Sequence, residues 1–333
     1  MSTDPSNIPT VNLSNGQTVW RLVARRLPDY SIPATFVLLI TVYSVLIPST
    51  FPTMGDLRTI VSSQAILLLL SLGLTLPLTT GEFDLSIGSV LEVSAVLVTY
   101  LTSAERWPVA AALIASLGVG AIVGIANGFF VVRLGIGAFI VTLATGTILT
   151  GISLAISGGQ LVTGVAPALV QLGSASVNGF SVPVFIALGF AFILWYIYDH
   201  TPLGRQMYFV GAGPDTARLT GLRVDRIRWS AFVASGIVSS VSGILAAGAF
   251  GGAVPGFGSG YLLPAYAAAF LGATTIKRGR FNAWGTVIAL YFLVTGVTGL
   301  ELLGASNWVE QVFDGTALLV AVGFGRLTST RLR

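Results

Sequence analysis

Ionisable side chains are scarce here, so those on apolar segments are where chemistry would reside. Glu82 and Asp84 lie in Gly81-Glu82-Phe83-Asp84-Leu85-Ser86-Ile87-Gly88-Ser89; Glu92 follows about five residues into the next apolar run, and Asp314 about six residues into the last one. A carboxyl group costs about 2.5–3.5 kcal/mol to place in hydrocarbon, so each must face protein or water. Positions i and i+2 point apart on a helix but share a face in extended chain. Pro77 upstream and glycine on both sides make 81–89 read as a break between two helices, and unwound backbone at membrane depth lines a cavity. Asp84 either caps the following helix, accepting from the amide of Ser86 or Ile87, or lines a pathway; the two roles are compatible. Glu92 reads as a structural hydrogen-bonding group or a transport group. Asp314, about 9 Å deep and preceded by Glu310 and Gln311, reads as the floor of an aqueous vestibule or as half of a buried pair.

Several chemistries are excluded. There is no cysteine and one histidine, His200 beside Asp199 at a loop edge, which removes thiol catalysis, cysteine-built metal sites and disulfides. An intramembrane serine protease needs a histidine inside the bilayer. A P-loop needs Gly-x-x-x-x-Gly-Lys-Ser/Thr, and the only lysine, Lys277, is followed by Arg278. Gly-Phe-Gly-Ser-Gly at 256–260 is an isolated glycine-rich turn, and paired metal ligands are absent. No cofactor is expected, and a net charge of +4 spread over separate loops is no nucleic-acid groove. What is left is a conduit, passive or driven by something else.

The elements that position these residues follow from composition. Of 333 residues 54% are hydrophobic and 9% charged, against ~25% charged in a soluble domain, and mean hydropathy is +0.86. The expected fold is all-α, a polytopic membrane helix bundle. At ~20 residues per crossing there are about ten spans, near 34–49, 60–79, 87–104, 108–131, 137–156, 183–199, 230–250, 261–276, 282–301 and 308–325. Alternate connections carry Arg21, Arg25 and Arg26; Arg133; Arg205, Arg218, Arg223, Arg226 and Arg228; Lys277, Arg278 and Arg280; then Arg326, Arg331 and Arg333, leaving only Arg58 and Arg106 opposite. Basic residues collect on the cytoplasmic side, which puts both termini there. Residues 1–33 read as a disordered cytoplasmic tail, 34–325 as the membrane domain and 326–333 as a second tail. The polar stretch at about 200–229 is the obvious docking surface. Forty glycines suit close helix contact in lipid; Gly120, Gly124 and Gly128 form one stripe, with Asn127 beside it as a pathway candidate.

Three stretches together resemble one family, the membrane permeases of ribose- and xylose-type ABC sugar importers. GEFDLSIGSV at 81–90 is similar to the family's Gly-Gly-Ile-Asp-Leu-Ser-Val-Gly-Ser motif. GIANGFFVVRLGIGAFIVTLATGTILTGISLAISGG from 124 to 159, with Gln160, is the second; the third is GRQMYFVGAGPDTARLTGLRVDRIRWSAFVASGIVSSVSGIL from 204 to 245 with GSGYLLPAYAAAFLGATT from 258 to 275. Similarity runs from about 35 to 325. The resemblance implies a subunit without its own nucleotide site, in a bacterial cytoplasmic membrane. Its partners would be ABC ATPase subunits, an extracytoplasmic sugar-binding protein and a second permease copy. It also implies an ATPase-coupling segment at 211–221, with 215–219 a short helix capped by Asp215 and stopped near Gly221; Arg205, Gly211, Asp215, Ala217, Arg218, Gly221, Arg223 and Arg226 are the coupling candidates, lipid headgroups being the other reading of the arginines. Glu82, Asp84, Ser86, Asn127, Thr142 and Thr145 are the candidates for lining the substrate pathway.

The chain departs from the family pattern at Glu82 and Phe83, at Gly137-Ala138 where relatives often have proline, over Thr295 to Leu300, and at Asp314 where relatives often have lysine. Sugar alcohols and other small polyols therefore remain open as cargo. The competing readings are an ion-coupled secondary transporter using Glu82, Asp84, Glu92 or Asp314, and a membrane scaffold that transports nothing.

Overall fold

A computed structural model describes residues 31–51, 53–306 and 308–329. The N-terminal tail expected at 1–33, with Arg21, Arg25 and Arg26, lies outside the described residues except for 31–33, which open the first helix; Arg331 and Arg333 also lie outside. Fourteen α-helices are seen among the described residues: α1 Ser31–Leu46, α2 Met54–Ser63, α3 Ala65–Thr79, α4 Ile87–Ser103, α5 Val109–Gly128, α6 Ala138–Ser157, α7 Pro167–Ser174, α8 Val182–His200, α9 Pro202–Ala212, α10 Pro214–Leu219, α11 Val224–Phe250, α12 Ser259–Gly272, α13 Ala283–Leu302 and α14 Trp308–Ser329. A π-helical turn, Phe129–Arg133, extends α5. The short strands β1 Val162–Thr163, β2 Ser176–Val177, β3 Phe180–Ser181 and β4 Gly252–Ala253 pair antiparallel, β1 with β4 and β2 with β3.

Helices dominate, as composition requires. Five are long and apolar enough to cross a membrane, α5 with its π turn, α6, α8, α11 and α13, and α2 with α3 makes a sixth if the pair, bent by 46°, is one span. The other expected spans do not combine that length with that apolarity. α4 begins at Ile87, as the sequence reading has it, after an unwound stretch, and α12 begins at Ser259, two residues before the expected 261, after the chain turns back into the bundle. The expected second span is a helix pair broken at Gln64, and the polar stretch at 200–229 holds α9, α10 and the start of α11.

α11 is the central post, and glycine puts it there. A Cβ on Gly120 would strike the Gly236 carbonyl and one on Gly236 the Gly120 carbonyl; Gly124 lies on Phe232 and Val233, and Gly128 on the Trp229 ring. The stripe read from the sequence is thus the seam between α5 and α11. On its other faces α11 places Gly243 against the Leu91 carbonyl of α4 and Gly248 against the Leu169 carbonyl of α7. Such close approach gains dispersion and weak backbone contacts that larger residues would forbid. Around it Leu68, Leu70, Leu72 and Leu74 of α3, Leu194 of α8, Leu245 of α11 and Leu290 of α13 form the core.

Candidate functional site

The break at 80–86 is built by its sequence. Pro77 lies inside α3, the amide of Glu82 folds back to the Pro77 carbonyl at 2.9 Å, and Gly81 takes φ +88, a conformation that favours glycine. The chain then runs without helix through Asp84 to a turn at Leu85-Ser86. Asp84 is 2% exposed. Its Oδ1 accepts from the Ser86 amide at 3.1 Å and the Ser86 hydroxyl at 2.6 Å, and its Oδ2 accepts from Ser235 of α11 at 3.0 Å. The bond from the Ser86 amide expected of Asp84 is present, but Ser86 itself, not Asp84, occupies the cap position of α4 and makes no side-chain cap bond. The Asp84 amide donates to the Tyr266 hydroxyl of α12 at 3.0 Å. Asn127 donates from Nδ2 to Ser86 Oγ at 2.9 Å and accepts from Thr145 at 2.8 Å. Thr142 accepts from the Leu85 amide at 3.0 Å and donates to the Ala138 carbonyl at 2.8 Å.

Five pathway candidates, Asp84, Ser86, Asn127, Thr142 and Thr145, thus converge with Ser235 and Tyr266 in one polar knot joining α4, α5, α6, α11 and α12. Asp84, Ser86, Asn127 and Thr142 are buried and Thr145 is half-buried. In this conformation they bond each other and the backbone. Glu82, the sixth candidate, is paired: its Oε1 accepts from Arg228 Nε at 2.7 Å and lies 2.6 Å from Nη2, with side chains 13% and 16% exposed respectively. Phe83 stacks on Tyr266 and Phe270 at 6.2 and 6.3 Å between ring centroids. Ser235, Tyr266 and Arg228 were missed as partners by sequence reasoning, Arg228 having served only as a topology marker. Nothing local to them signals a partner 146, 151 or 182 residues away.

The arm at 200–228 sits directly on this break. Thr201 caps α9 by accepting from the Gly204 amide at 3.3 Å, the Tyr208 hydroxyl donates to the Phe281 carbonyl at 2.5 Å, and Arg280 lies over the Tyr208 ring at 5.3 Å. Burial, reinforced by Tyr198 and Asp199, pushes the Tyr208 phenol up from its ordinary value. Lys277 pairs with Asp199 at 2.5 Å. Gly211 packs against the Thr79 carbonyl and the backbone of Gly81, so closely that a side chain there has no room.

Asp215 does not cap the short helix as expected. Gly213 occupies that position without a side-chain bond, because proline at 214 opens α10 and shifts its start one residue earlier. The Asp215 carboxylate instead pairs with Arg218 at 2.9 Å, and Arg218 also reaches Asp225 at 3.1 Å. The helix ends as read, at Thr220 and Gly221, the latter at φ +80. Ala217 is buried beneath it; Arg205, Arg223 and Arg226 are exposed and make no ion pair among the described residues. Leu219, 89% exposed at the tip, went unremarked in the sequence.

Of the remaining acids, Asp314 lines a cavity of about 220 Å³ at the opposite end of the bundle, with Gln64, Thr298, Glu301 and Glu310 at its polar side and Leu290 and Pro264 among its apolar lining. Asp314 thus faces a cavity. Glu92 is buried in α4, its Oε2 accepting from the Gly258 amide at 3.2 Å. His200 packs its ring on Trp195 and Tyr196. Among the described residues no three His, Cys, Asp or Glu side chains gather to hold a metal.

A family model described as "Branched-chain amino acid transport system / permease component" matches residues 57–322. The chain is 30% identical over 292 residues to the D-allose transport system permease protein of Escherichia coli, covering 88% of this chain and 90% of that one. It is 31% identical over 295 residues to the ribose import permease protein of Bacillus subtilis, covering 88% and 91%. This chain belongs to the ribose-type ABC sugar permease family. The autoinducer 2 import system permease protein of Photorhabdus luminescens is similar too, 28% identical over 260 residues, with 76% of the permease and 78% of that protein covered. No solved structure matches the permease. The matched region contains the polar knot, the break and the arm, and ends within α14.

Proposed function

We propose that this permease passes a small sugar or polyol from an extracytoplasmic binding protein into the cytoplasm, driven by ATP hydrolysis on separate ATPase subunits. The observation that carries the reading is the contact of Gly211 with Thr79 and Gly81. It sets the exposed arm against the unwound segment at the centre of the polar knot, so a push on the arm reaches the knot through backbone. On this reading the arginine-rich end faces the cytoplasm, both termini are there, and about ten segments traverse a bacterial inner membrane.

The arm suits an ATPase contact. Leu219 projects into solvent on an arm that also exposes Arg205, Arg223 and Arg226, offering a partner both an apolar anchor and positive charge. Arg218 is held by Asp215 and Asp225 and so stiffens the α10 corner. The membrane knot supplies the moving part: Asp84, Ser86, Asn127, Thr142 and Thr145 line the path once α4, α5, α6, α11 and α12 separate around it. A second permease copy completes the conduit. The ion-coupled alternative draws little from Glu82 and Asp84, one paired to Arg228 and the other fully hydrogen-bonded.

Uptake of labelled sugars and polyols by proteoliposomes holding the permease, its ATPase and its binding protein tests the reading. ATP-dependent and binding-protein-dependent uptake is expected. Uptake driven by a proton or sodium gradient without ATPase would refute it. Replacing Asp215 to Arg218 by a Gly-Ser linker should leave a folded permease that no longer co-purifies with its ATPase, and unchanged co-purification would overturn the coupling assignment.

A further inference from the structure

Residues 251–258 leave α11 at the end of the bundle opposite the arm and turn back into it. Gly251 closes α11 at φ +68, Gly252 and Ala253 pair with Thr163 and Val162, and Gly256 redirects the chain at φ +91. Gly258 then arrives beside α4, where a Cβ on it would strike the Gly88 carbonyl and the Glu92 side chain. Around Gly251 and Gly256 a Cβ would meet open space, so a glycine at positive φ stands on either side of the strand pairing, while Phe257 packs on the Phe250 and Tyr261 rings.

Under this strap lies Glu92, 1% exposed. Its Oε2 takes the Gly258 amide at 3.2 Å, at the long end for such a bond. Its Oε1 has no partner at all. A buried acceptor left empty is rare in folded proteins and calls for a use, the more so for a carboxyl group inside a membrane. If the strap swings away, a notch remains with one carboxyl group and backbone carbonyls as its polar groups, an acceptor-rich surface suited to hydroxyl donors.

We propose that Glu92 is a specificity-determining residue of the transport path: the 251–258 strap covers it in the conformation seen, and its free oxygen accepts a hydroxyl of polyhydroxyl cargo once the strap moves. This rests on the sugar-permease reading above. The position lies outside the polar knot and one strand pairing away from the exposed loop at 158–161, so an outer partner that displaced the loop would pull on the strap.

The chain has no cysteine, so Glu92→Cys introduces a unique thiol. Assembled with ATPase and binding protein in proteoliposomes, this variant is probed with a small membrane-impermeant methanethiosulfonate added on the binding-protein side, with D-ribose or D-allose as cargo. Labelling at least tenfold faster with ATP and sugar-loaded binding protein than with neither is expected, whether or not the variant still delivers cargo. A thiol that stays silent in both states while Ser259→Cys reacts, or one that reacts equally at rest, overturns the proposal. Because Glu92→Cys could impair folding, hydrogen exchange of the 252–258 peptide is followed in the wild-type assembly as well; it should accelerate during turnover, and an unchanged rate counts against the strap. Wild-type uptake with a silent thiol sinks only this inference, whereas no sugar uptake by the wild type sinks the permease reading and this inference with it.

Discussion

The two ends of this bundle are built to opposite rules. At the arm end every pathway candidate has a partner: Asp84 holds Ser86 and Ser235, Asn127 bridges Ser86 and Thr145, and Glu82 grips Arg228. At the other end Glu301, Glu310 and Asp314 line a cavity without a cation among the described residues, and Glu92 keeps an oxygen empty. Satisfied buried polar networks rigidify a fold, whereas unsatisfied groups are where a structure awaits another state or a ligand. The comparison teaches that the conformation seen is locked at the knot and open to further contacts at Glu92 and the Asp314 cavity.

The strongest way to break that contrast is to unlock the seam beneath the knot. Gly124→Val places side-chain atoms into the Phe232 and Val233 backbone, and overpacking of this order costs about 3 kcal/mol. Loss of folded, monodisperse protein in detergent is expected, checked by thermal unfolding. Next in size is Arg228→Ala, which leaves Glu82 half-buried without its cation. Breaking such a pair costs roughly 3 kcal/mol where burial is deep and less here, where each side chain keeps some exposure. The double variant Glu82→Leu/Arg228→Leu should recover most of the loss in the same melting measurement.

Asn127→Leu removes one donor and one acceptor from the knot, while Thr145 keeps the Val141 carbonyl at 2.9 Å and Ser86 keeps Asp84 at 2.6 Å, at a cost of about 1 kcal/mol. Melting should fall by that amount and uptake should fall with it; an unchanged uptake rate would show that the knot is not part of the path. The smallest effect on stability is expected at the other end. Asp314→Asn should change melting by no more than about 0.5 kcal/mol, since no bond is lost there, while altering the concentration dependence of uptake. Leu219→Ser should likewise leave melting unchanged but abolish ATPase co-purification, because the side chain touches solvent and little else.

Much of the knot was legible in advance because its residues break a local rule. Asp84 and Ser86 interrupt an apolar run beside glycine and proline, and a polar residue such as Asn127 on a glycine stripe has few other reasons to be there. The bond of Asp84 to the Ser86 amide follows from spacing alone, since an aspartate two residues before an amide reaches it within one turn, although the cap position itself falls on Ser86. Asp215 misled the same reasoning, because Pro214 preset the helical backbone one residue earlier and moved the cap to Gly213. The span count was read from hydropathy, which placed the starts of α4 and α12 to within two residues but could not show the break at Gln64 that splits the second span into α2 and α3.

Composition and charge placement by themselves determined that this is a membrane helix bundle, that it carries no P-loop, and which end gathers arginine. These are sums over residues, insensitive to which helix touches which. Only the tertiary structure decided that Glu82 meets Arg228, that Ser235 and Tyr266 complete the Asp84 site, and that Gly258 covers Glu92. Those contacts join residues from about 150 to 180 positions apart, and a hydrogen bond depends on ångström distances that helix packing sets and local sequence does not.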